Sequence, residues 1–245
     1  MKKIILSTFV LFLIGGIVGF TLANEKLPEG TQPEKADSLA REMLTAINHE
    51  AWLATAAVEW NFMGNHEHLW DKNRDFARVR WKKYEVIFDI NKKEGVAYKN
   101  GEQITGDQAG ELVQKAWKMW VNDSFWLNPV SKAFDGGTTR TLVATKKGEQ
   151  GLMVSYSSGG NTPGDSYVWL LDDKNLPYAW KMWVSIIPIG GIKVPWNGWI
   201  ETETGVMICA LHDTKIMDLK LEGVKTAFKL EDLTNGKDPF KVLTQ

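Results

Sequence analysis

Cysteine is almost absent from this sequence. The 245 residues contain one cysteine, Cys209, so the chain cannot form an internal disulfide. Its neighbours in the apolar stretch VMICALH predict a buried structural thiol. Without a disulfide framework the fold depends on a hydrophobic core, and a chain of this length can bury a large one.

An excess of basic residues is lacking too. Lys and Arg together number 29, against 30 Asp and Glu, and the two signs are interspersed along the chain. A protein that binds phosphate backbones carries a basic excess on some face. We therefore expect no nucleic-acid partner.

Long hydrophobic runs are missing beyond the N-terminus. Residues 4–23 form one uncharged apolar run, preceded by two lysines and followed by polar residues from Asn24. This layout predicts a cleaved signal peptide at residues 1–23 and a periplasmic or otherwise exported protein. The run also has the length of a membrane helix, about 20 residues, so an inner-membrane anchor at residues 4–23 is the alternative. We predict that residues 24–245 form a single domain.

Recognisable catalytic motifs are lacking as well. The serines at positions 155, 157 and 158 lack the Gly-x-Ser-x-Gly elbow, and the glycines that follow them lack the lysine of a phosphate loop. The acidic pair Asp172 and Asp173 falls in a predicted turn, and Glu201 with Glu203 on a predicted solvated strand face. The sequence therefore predicts no catalytic residues, no enzyme activity and no cofactor.

Two histidines lie at a spacing that metal ligands sometimes have. On a strand, His66 and His68 would place both imidazoles on one face. No third ligand is evident in the sequence, and exposed histidines near a turn are more common than metal sites. We therefore predict no metal.

Tryptophan is what the sequence has in abundance. It contains twelve, and four of them fall within residues 176–205, where we predict two strands joined by a hairpin. Alternation along the first strand predicts that Tyr178, Trp180, Met182 and Val184 share one apolar face. Such an excess of tryptophan is typical of a packed core, a sugar-stacking platform or a lipid cavity.

The predicted hairpin itself is unusually apolar. Residues 186–195 contain a Gly-Gly turn, yet isoleucines flank it where an exposed turn is usually polar. We predict that Ile187, Ile189 and Ile192 form a rim loop that contacts a membrane or an envelope protein. The alternative is that these isoleucines belong to an ordinary core.

Hydrophobic periodicity predicts a mainly β, α+β fold. Apolar stripes at helical spacing cover residues 36–47 and 112–121, and a compact apolar loop is predicted at residues 125–129. Short segments that alternate at period two predict about ten antiparallel strands. Strands that are apolar on both faces, such as residues 167–171, need cover on both sides. An open or partly closed antiparallel barrel whose open end is covered by helices would bury both faces of such strands.

Four short motifs add a resemblance to this pattern. They are NDSFWLNP at residues 122–129, FDGG at 134–137, Leu176-Pro177, and WNGW at 196–199. In this order, after a capped helix and a strand meander, they resemble the periplasmic lipoprotein-carrier (LolA-like) superfamily, and more closely an uncharacterised bacterial branch of it. The likeness covers roughly residues 35–220. It implies an unclosed antiparallel β half-barrel of about ten strands, with two or three helices covering a concave face that holds acyl chains or another apolar ligand.

One feature of the true carriers has no definite counterpart. Their lid-locking arginine could correspond to any of five positions, so the resemblance leaves lipoprotein cargo open. The candidates are Arg41, Arg74, Arg78, Arg80 and Arg140.

The combined expectation is a non-enzymatic exported protein that binds a lipid or the acyl chains of a lipoprotein. The residues expected to line its cavity are Trp60, Phe62, Trp81, Trp117, Trp120, Tyr178, Trp180 and Met182. Two alternatives stay open. One is an envelope protein-interaction module in which these side chains fill a solid core, and the other is a glycan-binding protein with exposed tryptophans.

Overall fold

A computed structural model describes residues 24–244, with gaps at 146–147, 149, 159–162 and 215–217. The predicted signal peptide, residues 1–23, therefore lies outside the described residues. Among the helices of the described part, none combines the length and the apolar character needed to cross a membrane.

The described chain consists mainly of short strands with a few helices. The α-helices are α1 (Pro33–Ala46), α2 (His49–Ala54), α3 (Asp107–Leu127) and α4 (Leu230–Thr234), and short 3-10 helices lie at Val130–Lys132 and Lys241–Leu243. The strands are β1 (Ala57–Phe62), β2 (His66–Asp71), β3 (Phe76–Trp81), β4 (Tyr84–Asp89), β5 (Glu94–Lys99), β6 (Glu102–Ile104), β7 (Thr138–Ala144), β8 (Gln150–Tyr156), β9 (Ser166–Leu171), β10 (Pro177–Trp183), β11 (Ile192–Pro195), β12 (Trp199–Glu201), β13 (Met207–Cys209), β14 (Leu211–Asp213) and β15 (Asp218–Ala227).

The strands form two large antiparallel sheets and a small one. The first sheet has eight strands in the order β14-β15-β1-β2-β3-β4-β5-β6, the second has five in the order β11-β10-β9-β8-β7, and β12 pairs with β13. A backbone hydrogen bond links the segment just after β11 of the second sheet to β14 of the first, with the Asn197 N–H donating to the Leu211 carbonyl at 3.2 Å. Neither large sheet closes on itself. The predicted unclosed antiparallel β half-barrel is confirmed, and the strands outnumber the expected ten because several have only three or four residues.

Helices cover one face of each sheet, as an apolar sheet face requires. In the first half of α3, Val113 and Ala116 pack against Val79, Val86 and neighbouring side chains of the first sheet. Helix α1 buries Ala36, Ala40 and Met43 against the second sheet. The interior thus lies between the helices and the two sheets.

The other face of the first sheet is covered by the C-terminal segment. Leu230 and Phe240 pack there against Leu69 and Ile87. The Arg74 guanidinium holds the segment in place, because it donates to both carboxylate oxygens of Asp238 at 2.8 and 2.9 Å. Such a paired contact fixes direction as well as distance.

The predicted loop at residues 125–129 is wrong for its first three residues. Helix α3 continues to Leu127, because Phe125 and Trp126 pack against the buried Trp180 ring, at 6.0 and 5.1 Å between ring centroids. The helix ends where Pro129 follows, since the residue before a proline is pushed out of helical geometry. Asn128 accordingly has an extended φ of −153°.

Candidate functional site

An apolar cavity of about 330 Å³ lies between the second half of helix α3 and the second sheet. Its apolar and aromatic walls come from one helix, three strands and one loop. They are Trp120, Phe125 and Trp126 from α3, Tyr156, Tyr167 and Met182 from β8, β9 and β10, and Val184, Ile186 and Ile187 from the loop after β10. Ligand sites in proteins are concave, mostly apolar spaces with a few placed polar groups. This cavity has that character.

Polar groups gather at one side of the cavity. Lys132, Asp135 and Ser158 line it there, and the Lys132 ammonium lies 3.4 Å from an Asp135 carboxylate oxygen. The Tyr156 hydroxyl is buried and has no hydrogen-bond partner in the protein. Burial raises the pKa of Tyr156 well above its usual range, so the phenol stays protonated and keeps an unused hydrogen-bond donor.

The loop after β10 is held in place from two sides. The Ser185 N–H donates to the Asp165 carboxylate at 2.9 Å. Near the beginning of the described chain, the Glu25 N–H donates to the Gly190 carbonyl at 3.0 Å and the Glu25 carbonyl accepts from the Trp183 indole at 2.7 Å. Lys181 adds an ion pair to the Glu25 carboxylate at 2.8 Å. The loop is therefore a fixed edge of the cavity.

The residues predicted to line a cavity do not all meet at one place. Trp120 and Met182 line it. Trp180 lies behind the wall, fully buried among the rings of Trp126, Trp169 and Trp196.

The other predicted wall residues belong to the interior of the first sheet. Trp60 and Phe62 pack in one buried cluster beneath the end of α3. Trp81 and Trp117 pack in a second cluster with the first half of that helix. These four side chains fill space that the sequence had assigned to a ligand.

Tyr178 departs from the predicted strand face. The pairing of β10 with β9 shifts between Pro177 and Ala179, which marks a β-bulge and breaks the strict alternation of faces. The Tyr178 side chain is 37% exposed and its ring lies beneath the Lys193 ammonium, 5.1 Å from the ring centre. The prediction that it shares a face with Trp180 is therefore wrong.

The predicted rim isoleucines divide by burial. Ile187 lines the cavity, and Ile189 and Ile192 are half-buried. Ile186 is 76% exposed beside the cavity. The sequence placed it in the loop but did not single it out.

The sequence also missed the cavity residues Phe125, Trp126, Tyr156 and Tyr167. The first two would have emerged if the helical stripe had been followed past residue 121, because Phe125 lies one turn after Val121 and Trp126 is the next residue of the same helix. Nothing in the sequence marks the two tyrosines as cavity residues, because aromatic side chains at alternate positions are common on any half-buried strand.

A wider surface cleft lies at the turns of the first sheet. Its volume is about 630 Å³, and its lining includes Arg80, Lys82, Lys83, Glu85 and Tyr84. It is open and carries charges of both signs. The cavity beside α3 is the better candidate site because it alone of the two is mostly apolar.

The two histidines meet a third side chain. Asp123 of helix α3 places one carboxylate oxygen, Oδ2, 2.8 Å from His66 Nδ1 and 2.8 Å from His68 Nε2. Sequence reasoning missed this partner, which lies 55 residues from His68. His68 is also 1% exposed, so the expectation of two exposed histidines is wrong for it.

Packing and hydrogen bonds hold this group of side chains. The His68 ring stacks on Trp60 at 4.4 Å between centroids, and the Asn122 side-chain amide donates to Asp123 Oδ1 at 2.9 Å. Burial lowers the pKa of His68, while the hydrogen bond to Asp123 opposes that shift.

Among the five arginines considered as a lid lock, Arg140 joins a strand to a helix. Its Nε donates to the Asp37 carboxylate of α1 at 2.5 Å, and its Nη1 donates to the Ala133 carbonyl at 2.9 Å. The guanidinium also lies over the Phe134 ring. Arg140 thus ties α1 to strand β7.

The chain was compared with known proteins in two ways. No model of a protein family matches it. A search among curated proteins found no significant match.

Proposed function

We propose that this protein is a non-enzymatic carrier that binds an apolar chain, such as a lipid acyl chain, in the cavity beside helix α3. The observation that carries the proposal is the cavity itself, whose walls are mostly aromatic and aliphatic. Removing a chain from water into such a space is favourable by about 0.8 kcal/mol per buried methylene.

The size of the cavity limits what it takes. Ligand pockets usually span about 300–1,000 Å³, and this one is near the lower end at about 330 Å³. The neighbouring space is filled by Trp180 and Trp60, which are fully buried. We therefore propose one acyl chain or a small amphiphile, in place of the several chains of a whole lipoprotein anchor.

The polar side of the cavity suits an amphiphile. An acyl chain between Phe125 and Met182 would leave its head group near Lys132 and the Tyr156 hydroxyl. A carboxylate or phosphate head group could pair with the ammonium and accept the unused hydrogen bond of the phenol. An uncharged hydrocarbon would leave both groups without that contact.

The exposed edge of the cavity suits a membrane or an envelope protein as donor and acceptor of the ligand. Ile186 presents an apolar side chain to solvent beside the cavity. Together with the signal-peptide layout and the motifs that resemble LolA-like carriers, this supports a role in the periplasm or in a comparable exported location.

A protein-interaction module is the second candidate. The packed interior of the first sheet favours it, because most of the side chains that were expected to line a cavity pack against one another there. A glycan-binding role gains no comparable support. All twelve tryptophans lie in the described part of the chain, and each is buried or half-buried, which leaves no exposed stacking platform there.

The test is binding of an environment-sensitive fluorescent fatty acid. We expect saturable one-to-one binding by the wild-type protein and at least tenfold weaker binding by Val184→Trp, whose added ring would occupy the cavity. Ile200→Trp, at an exposed position outside the cavity, is the matched control and should bind like wild type. Absence of saturable binding, or equal binding by Val184→Trp, would refute the carrier and leave the interaction module.

A further inference from the structure

Three potential ligand atoms meet where helix α3 crosses strand β2. They are His66 Nδ1, His68 Nε2 and Asp123 Oδ2, and all lie within 4.8 Å of one another. We propose that they form a binding site for one divalent transition-metal ion of the Zn²⁺ type. Imidazole nitrogen and carboxylate oxygen are ligands that Zn²⁺ takes, and three protein ligands leave its fourth position for water.

The local structure explains why the three side chains converge. His66 and His68 are two residues apart on β2, so both project from the same face of the strand. Helix α3 packs over that face and brings Asp123 down between them. The site therefore joins two elements that are distant in sequence.

The spacing of the atoms is close to what a metal needs. Bonds of about 2.0–2.1 Å in a tetrahedral site place neighbouring ligand atoms about 3.3 Å apart. The two nitrogens lie 2.8 Å from the carboxylate oxygen. The ligands must open by about half an ångström, which a small rotation of the His66 ring at the end of its strand can supply.

The side chains around the three ligands orient them. The Asn122 amide donates to the second oxygen of Asp123 at 2.9 Å, which leaves Oδ2 to face the imidazoles. Trp60 fixes the plane of the His68 ring by stacking. Such outer contacts hold ligands in place in metal sites, and losing one typically weakens metal affinity 10–100-fold.

Metal binding creates no new unpaired group at His68. Its Nδ1 is buried and has no hydrogen-bond partner in the protein. In the metal-free state Nε2 carries the ring proton and Nδ1 is an unused acceptor. In the metal-bound state the proton moves to Nδ1, which becomes an unused donor, so the number of unsatisfied groups stays the same.

One ligand provides a route for the ion. The His66 side chain is 26% exposed, whereas His68 and Asp123 are almost completely buried. An ion can therefore enter from the His66 side, and the water that completes its coordination can lie there. The competing interpretation is a metal-free clamp in which Asp123 accepts one hydrogen bond from each imidazole.

In the experiment, the purified protein is first freed of metal with a chelator. It is then titrated separately with Zn²⁺ and with Co²⁺. We expect one equivalent of Zn²⁺ to bind, a rise in melting temperature with added metal, and Co²⁺ absorption bands of a four-coordinate site. His66→Ala, which loses a ligand, should bind at least a hundredfold more weakly, and Asn122→Ala, which loses an outer contact, about tenfold more weakly. Because His66 is partly exposed, its replacement is the variant least damaging to folding.

The matched control is His49→Ala, which removes a histidine outside the group and should bind like wild type. Failure to bind Zn²⁺ or Co²⁺ stoichiometrically, or equal affinity in wild type and His66→Ala, would overturn the metal site and leave the hydrogen-bonded clamp. The titration contains no lipid. Its outcome is therefore separate from that of the fatty-acid test.

Discussion

At the scale of single residues, Trp180 decides how solid the interior is. Its ring is fully buried and lies 4.9–5.1 Å from the rings of Trp169, Trp196 and Trp126. We expect Trp180→Ala to lower the free energy of unfolding by about 3–5 kcal/mol, as for other large-to-small changes in a packed core. Urea denaturation measures this.

The neighbouring Tyr178 provides the control for that change. Because its side chain is partly exposed on the bulge, Tyr178→Ala should cost about 1 kcal/mol or less. If both variants lost equally little stability, the ring of Trp180 would border empty space, and the acyl cavity would be larger than the structure indicates.

His212 makes stability depend on pH. It is fully buried between the rings of Trp126 and Trp196, and burial lowers its pKa from 6.5 to about 4. Between these values the unfolded chain takes up a proton that the folded chain does not, so stability falls as pH falls. For His212 alone we expect a loss of about 2 kcal/mol between pH 7 and pH 5.

The measurement is urea denaturation at both pH values for wild type and His212→Gln. In the variant, the free energy of unfolding should differ less between pH 7 and pH 5 than in wild type. The difference that remains comes from His68 and His49, because burial lowers their pKa values as well. Lys72 does not contribute in this window, since its pKa of about 8 lies above it. An unchanged difference in His212→Gln would show that another group is responsible.

At the scale of elements, a single substitution tests whether the contact between Glu25 and the loop after β10 holds residues 24–30 in place. A side chain at Gly190 would bring a carbon within 2.3 Å of the Trp183 ring and within 2.6 Å of the Glu25 carbonyl oxygen, which accepts from that ring. We therefore expect Gly190→Ala to displace residues 24–30 and to speed limited proteolysis there. Global stability should also fall, by about 1–3 kcal/mol, because the Trp183 ring of β10 must move as well.

Gly110 is the matched position for that substitution. It lies inside helix α3 with open space around it, so Gly110→Ala should raise stability by about 0.5–1 kcal/mol. Equal proteolysis of wild type and Gly190→Ala would show that the contact with Glu25 does not hold the segment.

The elements also show what a sequence can and cannot predict. Periodicity predicted α1, most of α3 and strands such as β1 and β4, because each presents apolar side chains at the spacing of its own structure to one apolar surface. The end of α3 was missed because the helical stripe was followed only to residue 121, although helix α3 continues to Leu127. The bulge at Tyr178 and the approach of Asp123 to His66 likewise depend on contacts between distant segments, which local spacing does not encode.

At the scale of the whole molecule, the cellular location stays a prediction. The layout of residues 1–23 predicts cleavage before Asn24, which would leave a mature chain with a net charge of −3. N-terminal sequencing of the exported protein measures this directly. Recovery of the uncleaved chain in a membrane fraction would show an anchor instead.

The pairing of β1 with β15 has a consequence for the order of folding. Ala57 lies opposite Ala227, so β1, an interior strand of the first sheet, gains its second neighbour only from β15, far along the chain. Contacts between such distant segments make folding slow. When the chain is synthesised or exported N-terminus first, one edge of β1 stays unpaired until β15 has followed. An unpaired strand edge readily pairs with strands of other molecules. The first sheet is therefore completed only after β15 has reached β1.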